Sequence, residues 1–348
     1  MAEFFQSLFP GPFKHSKAEY GMVYEKDDGT KGVRRAPFFL NPFSVSNAGV
    51  LISYFDVGLS ANLWSTPIAY YLVTTLDIDA TQYSAFSIFI TLPWSLKFFF
   101  GLLIDGVSIL EYRRKSWLIV GWVSYVCVAL WLWDLATPSF TYCVALCFLL
   151  VASYLLADVC NDTLSVERAR YEPQDIRGGF QTSGQIIRAL GGATGAILGA
   201  LLYNTSTWGW GLTIGEIFLL AAFIPLTGIL PLSWNLIELQ PLWPPSPLYE
   251  QLQTVWQTVQ MDAVWRTMLF IYIYNIFQVP NSSWTNFLID GLGFSDFDIG
   301  MLTFVAAACH FVGIIIFRQF FFATSWRLIY IFTTLVGSFL LIGSVSNG

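Results

Sequence analysis

The chain has 348 residues, of which 55% are hydrophobic and only 11% carry a charge. Soluble domains carry about 25% charged residues, so the composition excludes an ordinary soluble protein and favours an integral membrane protein. The net charge of -6 says little about partners, and the sequence has no basic patch for a nucleic-acid partner. The sequence contains no metal-ligand cluster, Ser/His/Asp grouping or phosphate loop, so we expect no metal, no cofactor and no enzyme.

Nine apolar runs follow residues 1–44, which we predict to be a cytoplasmic N-terminal tail. A helix needs about 20 apolar residues to cross the hydrocarbon core of a bilayer, so each run predicts a transmembrane helix. The runs are residues 48–74, 83–105, 116–136, 139–166, 178–203, 209–232, 264–288, 296–317 and 326–346.

Prolines and polar residues after the sixth run predict a cytoplasmic linker at residues 236–262. It separates a six-helix half at 45–235 from three helices at 263–348. The basic residues outside the spans lie in the tail and in every second connection, which predicts a cytoplasmic N-terminus. The connections without Lys or Arg are residues 75–82, 137–138, 204–208 and 289–295.

Two connections also resemble each other. Residues 76–84 and 292–300 both have an apolar pair, a polar spacer and an amide or carboxylate where the next helix starts. Their equivalent positions predict two parallel six-span halves, as in major facilitator carriers. We therefore expect an all-α polytopic membrane protein with a major facilitator-type helical bundle. Three spans of the second half are present, so that half is expected to be truncated.

Charged residues within the spans are the first candidates for function. Lys97 and Arg188 lie inside the second and fifth runs, where a charge is costly and marks a pathway or site. Arg188 shares a helical face with a row of glycines, a pattern that predicts the close approach of a neighbouring helix. Arg188 is therefore expected to point into the protein. Asp56, together with Glu216, is expected to balance the two cations. The alternatives are snorkelling of Lys97 to the interface and static ion pairs.

Two amides on the seventh run are further candidates. Asn275 and Gln278 interrupt an apolar helix, so they either line a binding site or bond to a neighbouring helix. His310, on the eighth run, can titrate near neutral pH, although a single histidine is more often structural.

A second set of charges lies where the second and fourth runs reach the cytoplasmic side. Carboxylates that meet guanidinium groups form strong pairs, so we predict a cytoplasmic gate here. A solvated helix end is the alternative. The predicted gate consists of Asp105, Arg113, Arg114, Asp158, Asp162, Glu167 and Arg168.

Three stretches resemble the folate–biopterin transporter family of the major facilitator superfamily, and the resemblance covers about residues 45–345. One departure is Phe98, where the family usually has proline. The first stretch lies within residues 54–72. The second lies within 93–114 and includes Pro93-Trp94, Lys97 and Arg113-Arg114. The third lies within 158–188 and includes Asp158-Val159 and Val166-Glu167.

This resemblance implies a secondary active transporter that symports folates or pterins with protons by alternating access. Its partners would be a small organic anion, protons and the lipid bilayer. Two alternatives remain from the residues themselves: a carrier of a different organic solute on the same fold, and a membrane protein that does not transport.

Overall fold

A computed structural model shows how the predicted helices pack. The structure describes residues 21–25, 31–35, 45–109, 112–135, 137–169, 172, 178–204, 208–234, 236, 238, 248–276 and 283–346.

The first half of the chain is a series of long helices. Two of the predicted spans are each interrupted, one at Trp64 and one at Leu96. The helices are α1 (Val45–Leu63), α2 (Ser65–Thr74), α3 (Ala80–Ser95), α4 (Lys97–Gly106), α5 (Lys115–Asp134), α6 (Phe140–Ala169), α7 (Gly179–Leu202), α8 (Ile214–Ile224) and, after a π-helical turn at Pro225–Ile229, α9 (Leu230–Trp234).

The remaining helices follow the proline-rich stretch. They are α10 (Leu248–Val259), α11 (Asp262–Ile276), α12 (Ser283–Asn286), α13 (Asp296–Ile316) and α14 (Trp326–Ser346), with π-helical turns at Phe287–Gly291 and Phe317–Phe321. Two short strands, β1 (Gly21–Glu25) and β2 (Lys31–Arg35), pair antiparallel within the N-terminal segment. The prediction of a helical membrane protein is confirmed, with this strand pair as a small exception.

Among the described residues, six helices are long and apolar enough to cross a membrane. They are residues 80–106, 115–134, 140–169, 179–202, 214–233 and 296–321. The other three predicted runs correspond to α1 with α2, to α11 with α12, and to α14. Nine spans and the major facilitator-type bundle therefore stay predictions.

The glycine-rich face of α7 packs directly against α1. A Cβ atom at Gly58 of α1 would overlap the carbonyl oxygen of Arg188, and one at Gly191 of α7 would overlap that of Phe55. Only glycine lets the two backbones approach so closely. The predicted small-residue contact is thereby confirmed, and it brings the backbones of α1 and α7 close together.

The two similar connections have the same backbone geometry. Asp79 and Ser295 each cap the following helix, and each bonds with a side chain three residues later in a capping box. Two residues before each cap the backbone has positive φ, 50° at Asp77 and 67° at Gly293. In both connections the residues flanking this position bond to carbonyls five and six residues earlier. The repeat is therefore present in the structure as well as in the sequence.

Candidate functional site

Four charged side chains from α4, α6 and α7 form one cluster, the charge cluster. The Nζ atom of Lys97 lies 2.9 Å from Oδ2 of Asp158 and 2.6 Å from Oδ2 of Asp162. The other carboxylate oxygen of Asp158 accepts a hydrogen bond from Nη1 of Arg188 at 3.0 Å. The side chain of Asp158 is fully buried. Asp158 is thus the centre of a formally neutral cluster, with one cation on each of its oxygens.

Local sequence explains why these side chains converge. Pro93 lies within α3, and the N–H of Leu96 bonds to its carbonyl at 3.0 Å. This turn ends α3 and starts α4 at Lys97, which places the ammonium group beside α6. Asp158 and Asp162 are four residues apart, so they lie on one face of α6. Both can therefore reach the same lysine.

Aromatic groups and a hydroxyl complete the surroundings of the cluster. The hydroxyl of Tyr54 donates to Oδ1 of Asp162 at 2.8 Å and lies 3.0 Å from Oγ of Ser165. The ring centroid of Trp94 is 5.6 Å from Nζ of Lys97 and 5.1 Å from Cζ of Arg188. A cation at this distance is attracted to an aromatic face. The ring of Trp94 therefore adds a cation–π attraction for the two cations that the carboxylates neutralise.

A cavity of about 430 Å³ lies beside the cluster, between α1, α7 and α13. Arg188 belongs to both, because its guanidinium binds Asp158 and the residue also lines the cavity. Each helix contributes residues at helical spacing, so one stripe of each faces the space. The lining residues are Gly58, Ala61, Asn62, Gln185, Arg188, Ala189, Gly192, Thr303, Ala306, Ala307 and His310.

The predicted partners of the two cations need correction. Asp56 is buried, but it contacts neither cation: Ser60 donates to its Oδ1 at 3.5 Å, and its Oδ2 has no hydrogen-bond partner among the described residues. It lies two residues from Tyr54, about 200° around α1, and so faces another side of the helix. Glu216 instead bonds with Thr213 in a capping box at the start of α8.

The predicted gate separates into two groups. Arg114 pairs with Glu167, and its Nη2 lies 3.3 Å from Oδ1 of Asp105. Nη2 of Arg113 donates to the carbonyl of Asp105 at 2.7 Å. These four residues form the ionic group of the helix ends. Arg168 lies next to it in sequence but is buried against the ring of Phe180, 5.3 Å from the ring centroid.

Asp158 and Asp162 do not join that ionic group. Asp158 precedes Glu167 by nine residues, which is about 14 Å along a helix. The two aspartates therefore lie deeper in the bundle and bind the interior cations. The expected contact of these two aspartates with Asp105, Arg113 and Arg114 is therefore not seen, while their part in a gate stays a prediction.

The structure adds Glu238 to the ionic group. Its carboxylate accepts hydrogen bonds from the backbone N–H groups of Arg113 at 3.1 Å, Arg114 at 3.0 Å and Lys115 at 3.1 Å. These groups have no intrahelical partner because they belong to the start of α5. No local pattern marks this role, since Glu238 lies in the segment after the sixth span.

Of the two predicted amides on the seventh run, Asn275 is not among the residues that line the cavity. Asn275 is exposed, and its amide donates to the carbonyl of Ile271 in the same helix at 2.8 Å. Gln278 lies outside the described residues. The cavity instead takes its amides from Asn62 and Gln185, which sequence reasoning missed. Their spacing from Gly58 and Arg188 on the same helices is the signal that could have found them.

Among the residues that the structure describes, no group of three or more His, Cys, Asp or Glu side chains could hold a metal ion. The polar groups of the cavity are amides, a hydroxyl, an imidazole and a guanidinium. Such a set can orient a polar organic molecule and bind an anionic group through Arg188.

Comparison with known proteins gives the family. The model of the BT1 family matches residues 57–345. The folate-biopterin transporter of Synechocystis sp. is 26% identical over 298 residues, which cover 84% of this chain and 58% of that protein. Folate transporter 1 of Plasmodium falciparum is 23% identical over 304 residues, which cover 85% of this chain and 57% of that protein. The chain thus spans little more than half the length of these relatives. It belongs to the BT1 family, the family of the folate–biopterin transporters.

Proposed function

We propose that the protein is a secondary active transporter that symports folate- or pterin-type solutes with protons by alternating access. The observation that carries this proposal is the double role of Arg188, which contacts Asp158 of the charge cluster and lines the cavity. A ligand that binds Arg188 necessarily acts on the cluster. The membrane helices and the family support a carrier rather than an enzyme.

The cavity suits a small organic molecule. Its volume of about 430 Å³ falls within the range of about 300–1,000 Å³ that is usual for small-molecule sites. The amides of Asn62 and Gln185 offer donors and acceptors, which the polar edge of a pterin ring requires. Arg188 suits a carboxylate, and folate carries carboxylates on its glutamate tail.

The neutral charge cluster suggests how protons couple to the solute. An anionic solute that takes a hydrogen bond from Arg188 competes with Asp158, which leaves a buried carboxylate with fewer partners. A proton taken up by Asp158 or Asp162 relieves that excess of negative charge. The proton therefore favours solute binding, and the solute favours proton binding to the same extent. We expect one proton for each negative charge that Arg188 accepts.

The arrangement in the membrane belongs to the same proposal. We infer a cytoplasmic tail at residues 1–44, a six-helix half at 45–235, a cytoplasmic linker at 236–262 and helices of a second half at 263–348. The repeated connections support two related halves. The cavity would then lie between them, because α1 and α7 belong to the first half and α13 to the second.

Transport by purified full-length protein in proteoliposomes tests this function. We expect uptake of labelled folate to rise when the outside is acidified and to stop when a protonophore removes the gradient. Arg188→Gln should lower folate uptake about tenfold or more, since a hydrogen bond to a charged group contributes about 1.5–3 kcal/mol. Uptake of biopterin, which has no carboxylate, should fall less.

A matched control and two contrary outcomes make the test decisive. Arg266→Gln removes an exposed arginine that pairs only within its own helix, with Asp262, and should leave uptake unchanged. Folate uptake that ignores the proton gradient would reject the coupling. Absence of folate and biopterin uptake, with no competition by either, would reject the substrate class. A carrier of another polar organic solute would then be the better assignment, because the cavity's amides and hydroxyl are not specific to pterins.

A further inference from the structure

Helix α13 contacts α7 on both sides of the cavity, and the two contacts differ in chemistry. On one side, a Cβ atom at Gly300 would overlap Ala200, so small apolar residues are packed tightly. On the other side, the guanidinium of Arg318 approaches Gly179, at the start of α7. The cavity lies between an apolar contact and a charged one.

The charged contact depends on Glu172. Its carboxylate accepts hydrogen bonds from the backbone N–H groups of Gly178 at 2.7 Å, Gly179 at 3.1 Å and Phe180 at 2.7 Å. A Cβ atom at Gly179 would lie 3.3 Å from Nη2 of Arg318 and 3.4 Å from Oε1 of Glu172. The carboxylate and the guanidinium therefore flank the same glycine without a direct ion pair, and Nη1 of Arg318 has no hydrogen-bond partner among the described residues.

The sign of this interaction is set by the carboxylate. A helix N-terminus carries a partial positive charge of about half a unit, which by itself repels an arginine. Glu172 is buried, so its negative charge is weakly screened and reverses the repulsion. Without that charge, Arg318 would face the unneutralised start of α7. The contact is thus attractive only because the carboxylate of Glu172 lies at this helix start.

The ionic group of Asp105, Arg113, Arg114 and Glu167 cannot perform the same task. These four side chains lie on α4, on α6 and in the connection from α4 to α5, within the first half. Glu238, which binds the backbone of that connection, follows α9 and precedes the helices of the second half. Alternating access requires one half to move against the other, and a group within one half does not resist that motion. Arg318, in contrast, reaches from the end of α13 to α7.

We infer that Arg318 and the Glu172-capped start of α7 form the latch that holds the two halves together on the side of the basic helix ends. This inference rests on the proposed alternating access. Opening of the cavity to that side requires Arg318 to leave Glu172, while the apolar contact at Gly300 stays closed. The basic helix ends are expected to be cytoplasmic, so the latch is the inner one.

Labelling of a cavity cysteine in the full-length protein tests the latch without any solute. The exposed cysteines, Cys127 and Cys309, are first replaced by serine, and Ala307→Cys supplies a reporter in the cavity wall. A membrane-impermeant maleimide is added to vesicles of either orientation. Arg318→Ala should raise the labelling rate from the cytoplasmic side about fivefold, which corresponds to about 1 kcal/mol.

Further variants keep the test decisive. Glu172→Gln keeps an acceptor oxygen but loses the charge, so it should raise cytoplasmic labelling in the same direction. Arg318→Lys keeps the charge and should give a smaller rise, which also serves if Arg318→Ala does not fold. Arg266→Ala is the exposed control and should change nothing.

Two results would overturn the latch. One is unchanged labelling in all Arg318 and Glu172 variants that elute as folded protein. The other is an increase only from the side opposite to the basic helix ends. Because labelling needs no solute, the latch can fail while folate uptake stands, and it can hold when the proposed solute is wrong.

Discussion

Substitution of Asp158 by asparagine removes one negative charge from the charge cluster and keeps the volume of the side chain. Both carboxylate oxygens of Asp158 bind a cation, one Lys97 and the other Arg188, and the side chain is fully buried. Removal of one partner from a buried ion pair costs about 3–5 kcal/mol. We expect a loss of stability in the lower part of that range, because the side chains of Lys97 and Arg188 are 32% and 22% exposed and can be partly hydrated.

Asp162→Asn is the matched comparison on the same helix. Among the cations of the described residues, Asp162 binds only Lys97, and its side chain is 28% exposed. Loss of one charge-assisted hydrogen bond costs about 1.5–3 kcal/mol, and Asp158 still neutralises the lysine. We therefore expect Asp158→Asn to destabilise the protein by about 1–2 kcal/mol more than Asp162→Asn.

The assay is the apparent Tm of the purified full-length protein in one detergent, followed by tryptophan fluorescence. We expect the order wild type, Asp162→Asn, Asp158→Asn from highest to lowest. Adding Arg188→Gln to Asp158→Asn restores a neutral cluster, so the double variant should melt above Asp158→Asn alone. Equal Tm values for the two aspartate variants, or no recovery in the double variant, would refute the reasoning from the shared carboxylate.

Three further predictions use the same Tm measurement. Gly58→Ala should lower the free energy of unfolding by about 2 kcal/mol or more, because the added Cβ overlaps the backbone of α7. Gly101 has open space around it, so Gly101→Ala should leave the free energy of unfolding unchanged or raise it. Glu238→Ala should cost about 1–2 kcal/mol, since three N–H groups of α5 lose their acceptor. Gly293→Ala should cost about 1 kcal/mol at its positive φ, whereas Asp77→Gly should not destabilise.

Each of these predictions has a result that contradicts it. Similar Tm shifts for the two alanine substitutions at Gly58 and Gly101 would mean that α1 and α7 can separate easily. Glu250→Ala removes an exposed acid of α10 and controls for the loss of charge alone; a shift as large as that of Glu238→Ala would reject the capping role. A loss of stability on Asp77→Gly would show that the repeated connections are not equivalent.

Much of the fold could be predicted from local sequence. Apolar runs of sufficient length predict helices because backbone groups must be hydrogen-bonded within a membrane. The glycine row of α7 indicated a close helix neighbour, and the structure identifies that neighbour as α1. Similarity between two connections predicted a repeat, and the backbone of Asp77 and Gly293 has the same unusual sign of φ. These features depend on residues that are close together in the chain.

The interruptions at Trp64 and Leu96 were not predicted. A hydropathy pattern continues through them, because the residues on both sides are apolar. The break at Leu96 nevertheless places Lys97 at the first position of α4, from which it reaches α6. A short departure from regular helix in the second span thus decides where the ammonium group of Lys97 lies.

The sequence by itself determined the class of the protein, the positions of the six described helices that can cross a membrane, and Lys97 and Arg188 as interior charges, because hydrophobic length and helical periodicity are local properties. Only the tertiary structure decided which charges meet. Lys97 and Asp158 are 61 residues apart in the chain, and Arg188 is 30 residues beyond Asp158. Their pairing depends on the faces that α4, α6 and α7 turn towards each other, and the close approach of α1 to α7 constrains those faces. Asp56 contacts neither Lys97 nor Arg188, because it lies on another side of α1.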